Sequence, residues 1–134
     1  PRTADAAAAA AIIDRCLAAE RPVLGELDAK ALLAAYHIPV VESVRVASHA
    51  EARDAAARLG YPVAAKLVSP EVSHKSDLGC VQLDIDDADA LAAALQRIDD
   101  NLRRHRPEAR HEGYAVQRMA PRDGAHELLL GVTS

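Results

Sequence analysis

The chain has 134 residues, half of them apolar and 27% charged, which allows one core of ordinary size and excludes a disordered polymer. A net charge of −4 with both signs scattered is no footprint for nucleic acid, and three tyrosines without Phe or Trp make no base-stacking platform. Cys16 and Cys80 show neither zinc spacing nor a disulfide pattern, and the longest apolar run, 6–13, is too short for a bilayer and lacks the basic lead of a signal peptide. A reduced, cytoplasmic protein without nucleic-acid or membrane partners is expected.

In chain order, an alanine-rich helix is predicted over 3–20, with Ile12, Ile13 and Leu17 as its large apolar side chains. Pro22 and Gly25 interrupt it before a second helix over 26–36, and Pro39 opens a strand over 40–46. Ser48-His49-Ala50-Glu51 fits a capping box. The helix it starts places Ala52, Ala55, Ala56 and Leu59 on one face and stops at Gly60. A short apolar strand over 62–68 contains one charge, Lys66, and a polar loop spans 69–79. Residues 81–85 alternate strictly, as a half-buried strand does. Asp86 is expected to cap the next helix, whose Leu91, Leu95, Ile98 and Leu102 share a face. After a loop over 107–113, strands over 114–119 and 126–132 are joined across Pro121 and Gly124. Strands that follow one another without a helix between them predict an α+β fold with a mixed or antiparallel sheet and flanking helices. The missing initiator Met and the core-like run Leu128-Leu129-Leu130 near the end predict a piece cut from a longer protein.

Two segments carry chemistry. Lys66 sits in Val63-Ala64-Ala65-Lys66-Leu67-Val68, where a desolvated ammonium needs a negative partner such as a phosphate. The alternative is a strand-end lysine reaching out to solvent. Ser73-His74-Lys75-Ser76-Asp77-Leu78-Gly79 gathers hydroxyls, an imidazole, an ammonium and a glycine between two strands, a composition able to wrap phosphate oxygens. It matches no Walker-type loop, and Asp77-Leu78-Gly79 also suits a simple turn. His49, His105, His111 and His126 show no ligand spacing and are expected at the surface.

The run Leu27-Asp28-Ala29-Lys30-Ala31-Leu32-Leu33-Ala34-Ala35-Tyr36 with Ile38-Pro39-Val40 resembles the opening of the ATP-grasp module of NDP-forming acyl-CoA synthetases. Leu59-Gly60-Tyr61-Pro62-Val63-Ala64 with Lys66, and Ser69-Pro70-Glu71-Val72-Ser73-His74-Lys75-Ser76-Asp77-Leu78-Gly79 with Val81, continue the likeness. Glu112-Gly113, Val116-Gln117-Arg118-Met119 and Glu127-Leu128-Leu129-Leu130-Gly131-Val132 complete it. The resemblance implies an ATP-grasp N-terminal lobe over 24–134, preceded by a helix and linker over 1–23, and incomplete without a second lobe.

By the same resemblance, Lys66 contacts nucleotide phosphates, and the loop carrying Ser73, Lys75, Ser76 and Gly79 closes over them. His74 is similar to a histidine phosphorylated transiently in ADP-forming acetyl-CoA synthetases, although a loop histidine whose neighbours do the work is the plainer reading. Gln117 and Met119 belong to the strand and hinge that hold adenine, and Glu127 faces the nucleotide. ATP or ADP is the implied ligand, with Mg2+ expected only alongside the second lobe. The implied partners are the CoA-binding and ligase domains of a parent that interconverts acyl-CoA, ADP and phosphate with carboxylate, CoA and ATP. A competing expectation is a regulatory module fused to a protein lysine acetyltransferase, and a third is a scaffold that no longer binds nucleotide. Cys80 stands where relatives carry a second glycine, and His37 replaces a common glycine.

Overall fold

Asp5 starts the first helix, its carboxylate accepting the Ala8 N–H at 2.9 Å. The computed structural model describes residues 3–20, 23–119 and 124. Helix α1 (Ala6–Ala18) buries Ala9, Ile12 and Cys16, at spacings of three and four, and leaves Ile13 and Leu17 exposed. Helix α2 (Glu26–Ala35) ends at His37, which takes the left-handed conformation (φ +59°) where glycine is at home. There the His37 and Ile38 N–H groups close the helix end on the Ala34 and Leu33 carbonyls at 2.9 and 3.0 Å. An Arg15–Asp28 ion pair at 2.8 Å ties the two helices together.

Strand β1 (Ser43–Val46) begins three residues later than the expected 40. Its residues pair with β4 (Tyr114–Arg118) from Ser43 onward, and the Arg118 N–H also reaches the Glu42 carbonyl at 3.2 Å. Helix α3 (His49–Leu59) carries the predicted cap, Ser48 Oγ accepting the Glu51 N–H at 3.2 Å. The return bond goes one residue further back, from the Ala47 N–H to Glu51 Oε2 at 2.9 Å. Strand β2 (Val63–Leu67) and strand β3 (Val81–Ile85) flank the polar loop. Helix α4 (Ala88–His105) buries Leu91, Leu95, Ile98 and Leu102 as predicted, but its cap is Asp87 rather than Asp86. The reason is register: Asp87 Oδ1 accepts the Ala90 N–H at 2.8 Å, the amide three residues on.

The sheet is antiparallel throughout, in the order β1-β4-β2-β3, which makes the fold α+β. Because strand side chains alternate, Val46, Val63, Leu67, Tyr114 and Val116 meet α3 and α4 in the core. Ser43, Arg45, Ala64, Lys66, Ala115 and Gln117 share the opposite face. In β3 the expected strict alternation fails. The register shifts between Val63 and Ala65, Asp84 adopts φ +53°, and Leu83 is exposed while Ile85 is buried. A bulge on this edge strand accounts for all three observations.

On the helical face Asp99 of α4 joins three elements. His49 Nε2 lies 3.0 Å from one carboxylate oxygen and His111 Nε2 3.1 Å from the other, which also accepts the Tyr114 O–H at 2.5 Å. Burial, and then the Asp99 carboxylate, push the Tyr114 phenol above its ordinary range. Tyr114→Phe should cost about 1–2 kcal/mol in urea unfolding, because one buried donor to a carboxylate is lost while two remain. A variant as stable as the unmodified chain would show that the tie contributes nothing.

Candidate functional site

The open sheet face carries one lysine at its centre. Lys66 enters from β2, and its side chain is 20% exposed. Its ammonium donates to Glu26 Oε1 at 2.6 Å and to Gln117 Oε1 at 3.3 Å. Lys30, one turn along α2, donates to the same Gln117 oxygen at 2.5 Å, to Ser43 Oγ at 2.7 Å, and pairs with Glu26 Oε1 at 3.1 Å. Burial works against the charge on Glu26, but hydrogen bonds from Lys66 and Lys30 outweigh it and hold the carboxyl below its usual range. The sign follows from the depression: the contact is complete at neutral pH and is lost only as pH falls through that lowered value.

A cavity of about 850 Å³ opens beside this cluster and is lined by Glu26, Lys66, Ser73, Lys75 and Ser76. Four predicted residues, Lys66, Ser73, Lys75 and Ser76, thus meet around one space. The loop between β2 and β3 is pinned at both ends in the core, by buried Val72 and by fully buried Cys80. Hydrogen bonds from Cys80 N–H to the Lys75 carbonyl and from Gly79 N–H to the Ser76 carbonyl fold its second half into a turn. The base is fastened by Glu71, which accepts from Arg110 Nε at 2.7 Å and from Ser69 Oγ at 3.3 Å.

The other predicted positions are distributed differently. His74 stands on the outer side of the loop with its side chain 84% exposed, and Nδ1 lies 3.9 Å from an Asp77 oxygen. Gly79 takes φ +67°, and its carbonyl accepts from Asn101 Nδ2 and Gln82 Nε2, both at 3.0 Å, so it faces α4. Cys80 likewise points into the core and does not line the cavity. Gln117 bridges the two lysines. The Met119 N–H is already bonded to the Pro62 carbonyl at 3.1 Å. Glu127 and the strand expected over 126–132 lie outside the described residues.

Glu26 and Lys30 are absent from the residues predicted for the site. Their spacing of four on a helix signals a pair, but nothing local indicates that Lys66, forty residues on, completes it. Among the described residues no group of three His, Cys, Asp or Glu side chains is arranged to hold a metal ion, and no helix is long and apolar enough to cross a membrane. A second cavity, of about 550 Å³, lies on the helical face beside His49, Asp99, His111 and Tyr114, remote from the lysines.

The family model described as ATP-grasp domain matches residues 15–134. The chain is 38% identical over 122 residues to the acetate–CoA ligase [ADP-forming] II subunit beta of Pyrococcus furiosus, covering 91% of this chain and 51% of that protein. The chain therefore spans about half the length of that relative. Among solved structures, PH1788 from Pyrococcus horikoshii Ot3 superposes with a TM-score of 0.80 at 35% identity, covering 86% of this chain and 49% of that one. The dinucleotide forming acetyl-coenzyme A synthetase 1 of Ca. Korarchaeum cryptofilum, in complex with coenzyme A, Ca-AMPCP and HgCl+, gives a TM-score of 0.80 at 34% identity, covering 83% and 48%.

Proposed function

We propose that this chain, which belongs to the ATP-grasp domain family, supplies the nucleotide-binding half of an ADP-forming acyl-CoA synthetase. The observation that supports it most is the meeting of Lys66, Ser73, Lys75 and Ser76 around one cavity on the open sheet face. Phosphoryl transfer needs positioning and charge neutralisation more than covalent help from the protein. Lys66 comes from a rigid central strand and Lys75 from the loop above it, so the two ammonium groups would hold polyphosphate oxygens from different sides. Gln117 sets the position of Lys66, and the serine hydroxyls offer further donors. When bound, a divalent cation such as Mg2+ would neutralise more of the phosphate charge; its ligands are expected from the remainder of the protein.

His74 is the proposed relay. A neutral imidazole nitrogen would attack the phosphorus of an acyl phosphate, and the carboxylate would leave. The terminal oxygen of ADP would then attack the phosphorus of phosphohistidine, forming ATP and returning the imidazole. An exposed histidine on a loop anchored at Val72 and Cys80 suits that traffic, since its ring stands clear of the sheet. The acyl phosphate itself would come from CoA-binding and ligase domains acting as partners.

Full-length protein incubated with acetyl-CoA and phosphate should acquire acid-labile, base-stable phosphate. His74→Ala should lose the share carried by this loop while still binding ADP. Unchanged labelling of the same peptide in the variant would remove His74 from the relay.

A further inference from the structure

We propose that Glu26 is a displaceable counter-ion of the phosphate site: it occupies Lys66 while the site is empty and is expelled when a nucleotide polyphosphate takes the ammonium. This rests on the nucleotide reading above and deepens it. Among the contacts described, Lys30 uses three acceptors, Glu26, Ser43 and Gln117, and so has a complete set. Lys66 uses two, and its shorter bond, 2.6 Å, is the one to Glu26. A phosphate oxygen could reach the remaining N–H of Lys66, but it would then stand beside the Glu26 carboxylate and compete with it for the same positive charge.

Charge decides the outcome. With two lysines and one carboxylate the cluster is formally +1, and a diphosphate adds several negative charges within a few ångströms of Glu26. Repulsion between the phosphate and the carboxylate raises the cost of keeping Glu26 on the same ammonium. Glu26 is able to leave. Its side chain is 40% exposed at the cavity wall, and no residue of α2 is fully buried, so turning it out forfeits little apolar contact. It also has a resting place. Glu26 is the first residue of α2, whose N-cap Gly25 offers no side-chain acceptor, and a carboxylate is favoured beside free amides at a helix N-terminus.

A role for Glu26 in aiming Lys66 at the phosphate would predict the opposite sign, and calorimetric titration of the full chain with ADP separates the two. Glu26→Gln should bind ADP about three- to tenfold more tightly at low salt, with the gain shrinking as salt screens the competition. Glu26→Asp keeps the charge but withdraws it by one methylene, and should shift affinity in the same direction, which covers the case where the glutamine variant loses α2. In a Lys66→Met background the Glu26→Gln gain should vanish, because the ammonium that Glu26 and the phosphate contest is gone. A gain that persists there would mean a general charge effect and would overturn the proposal. Weaker or unchanged binding in both Glu26 variants, with Lys66→Met still impaired, would overturn it while leaving the nucleotide reading intact. Lys66→Met binding ADP as tightly as the unmodified chain would sink both.

Discussion

Gly113→Ala is expected to destabilise the chain by about 3–5 kcal/mol, the largest effect on the fold of any single methyl group added at a described glycine. Gly113 lies just before β4 with φ +101°, a conformation that L side chains rarely adopt. A Cβ there would overlap the carbonyl oxygen of Val46 and stand 3.1 Å from its carbonyl carbon and 3.2 Å from Ala47 Cα. Those are backbone atoms of the last residue of β1 and the residue after it, and β1 is paired to β4 through Val46 and Tyr114, so no flexible side chain can move aside. The Gly113 carbonyl also accepts the Val68 N–H at 2.9 Å, which ties the start of the loop between β2 and β3 to the residue before β4. Relief of the clash must then open β1 from β4 or release Val68. Gly60→Ala is the control: its φ is +82° but a Cβ there meets nothing within 4 Å, so it carries conformational strain alone. Thermal melting should place Gly113→Ala about 10–20 °C below the unmodified chain and clearly below Gly60→Ala. Equal melting temperatures for the two variants would show that the close approach to Val46 is absent in solution.

Most elements of this fold were legible because their signals are local. The three-and-four spacing of Leu91, Leu95, Ile98 and Leu102 identified the buried face of α4, and Ser48 with Glu51 located the start of α3. The failures share a physical cause: they depend on what lies across space. Whether residue 40 or 43 starts β1 is decided by where β4 offers a partner. Leu83 turned outward because a bulge, invisible in an alternating pattern, reversed the strand's faces. The same limit governed the site. Lys66 stood out as a charge in an apolar strand, and the loop stood out by composition. The carboxylate that neutralises Lys66 lies forty residues away on another helix, and the Asp99 tie joins histidines sixty-two residues apart. Lys66 and the loop were candidates from charge and composition alone, and the fold adds Glu26 and Lys30, the groups that set the charge around Lys66.

Lys66→Met should weaken ADP binding about 10- to 100-fold, the loss expected when one charged donor to phosphate is removed. Methionine keeps the length and apolar stem of the side chain, so the strand around it has no reason to rearrange. The variant does not strand a buried charge either, because Glu26 retains Lys30 at 3.1 Å. That separation from stability is what makes the test sharp: the melting temperature should hold while affinity falls. Lys75→Met gives the scale for a less constrained donor. Lys75 sits on a polar turn, whereas Lys66 comes from β2 between two paired neighbours, so the loss at Lys75 should be the smaller. The salt dependence of binding should flatten in both variants, as each removes one cation from the proposed phosphate site. Equal affinities for ADP in the unmodified chain and Lys66→Met would place the phosphates elsewhere, and the open sheet face would lose its claim to be the nucleotide site.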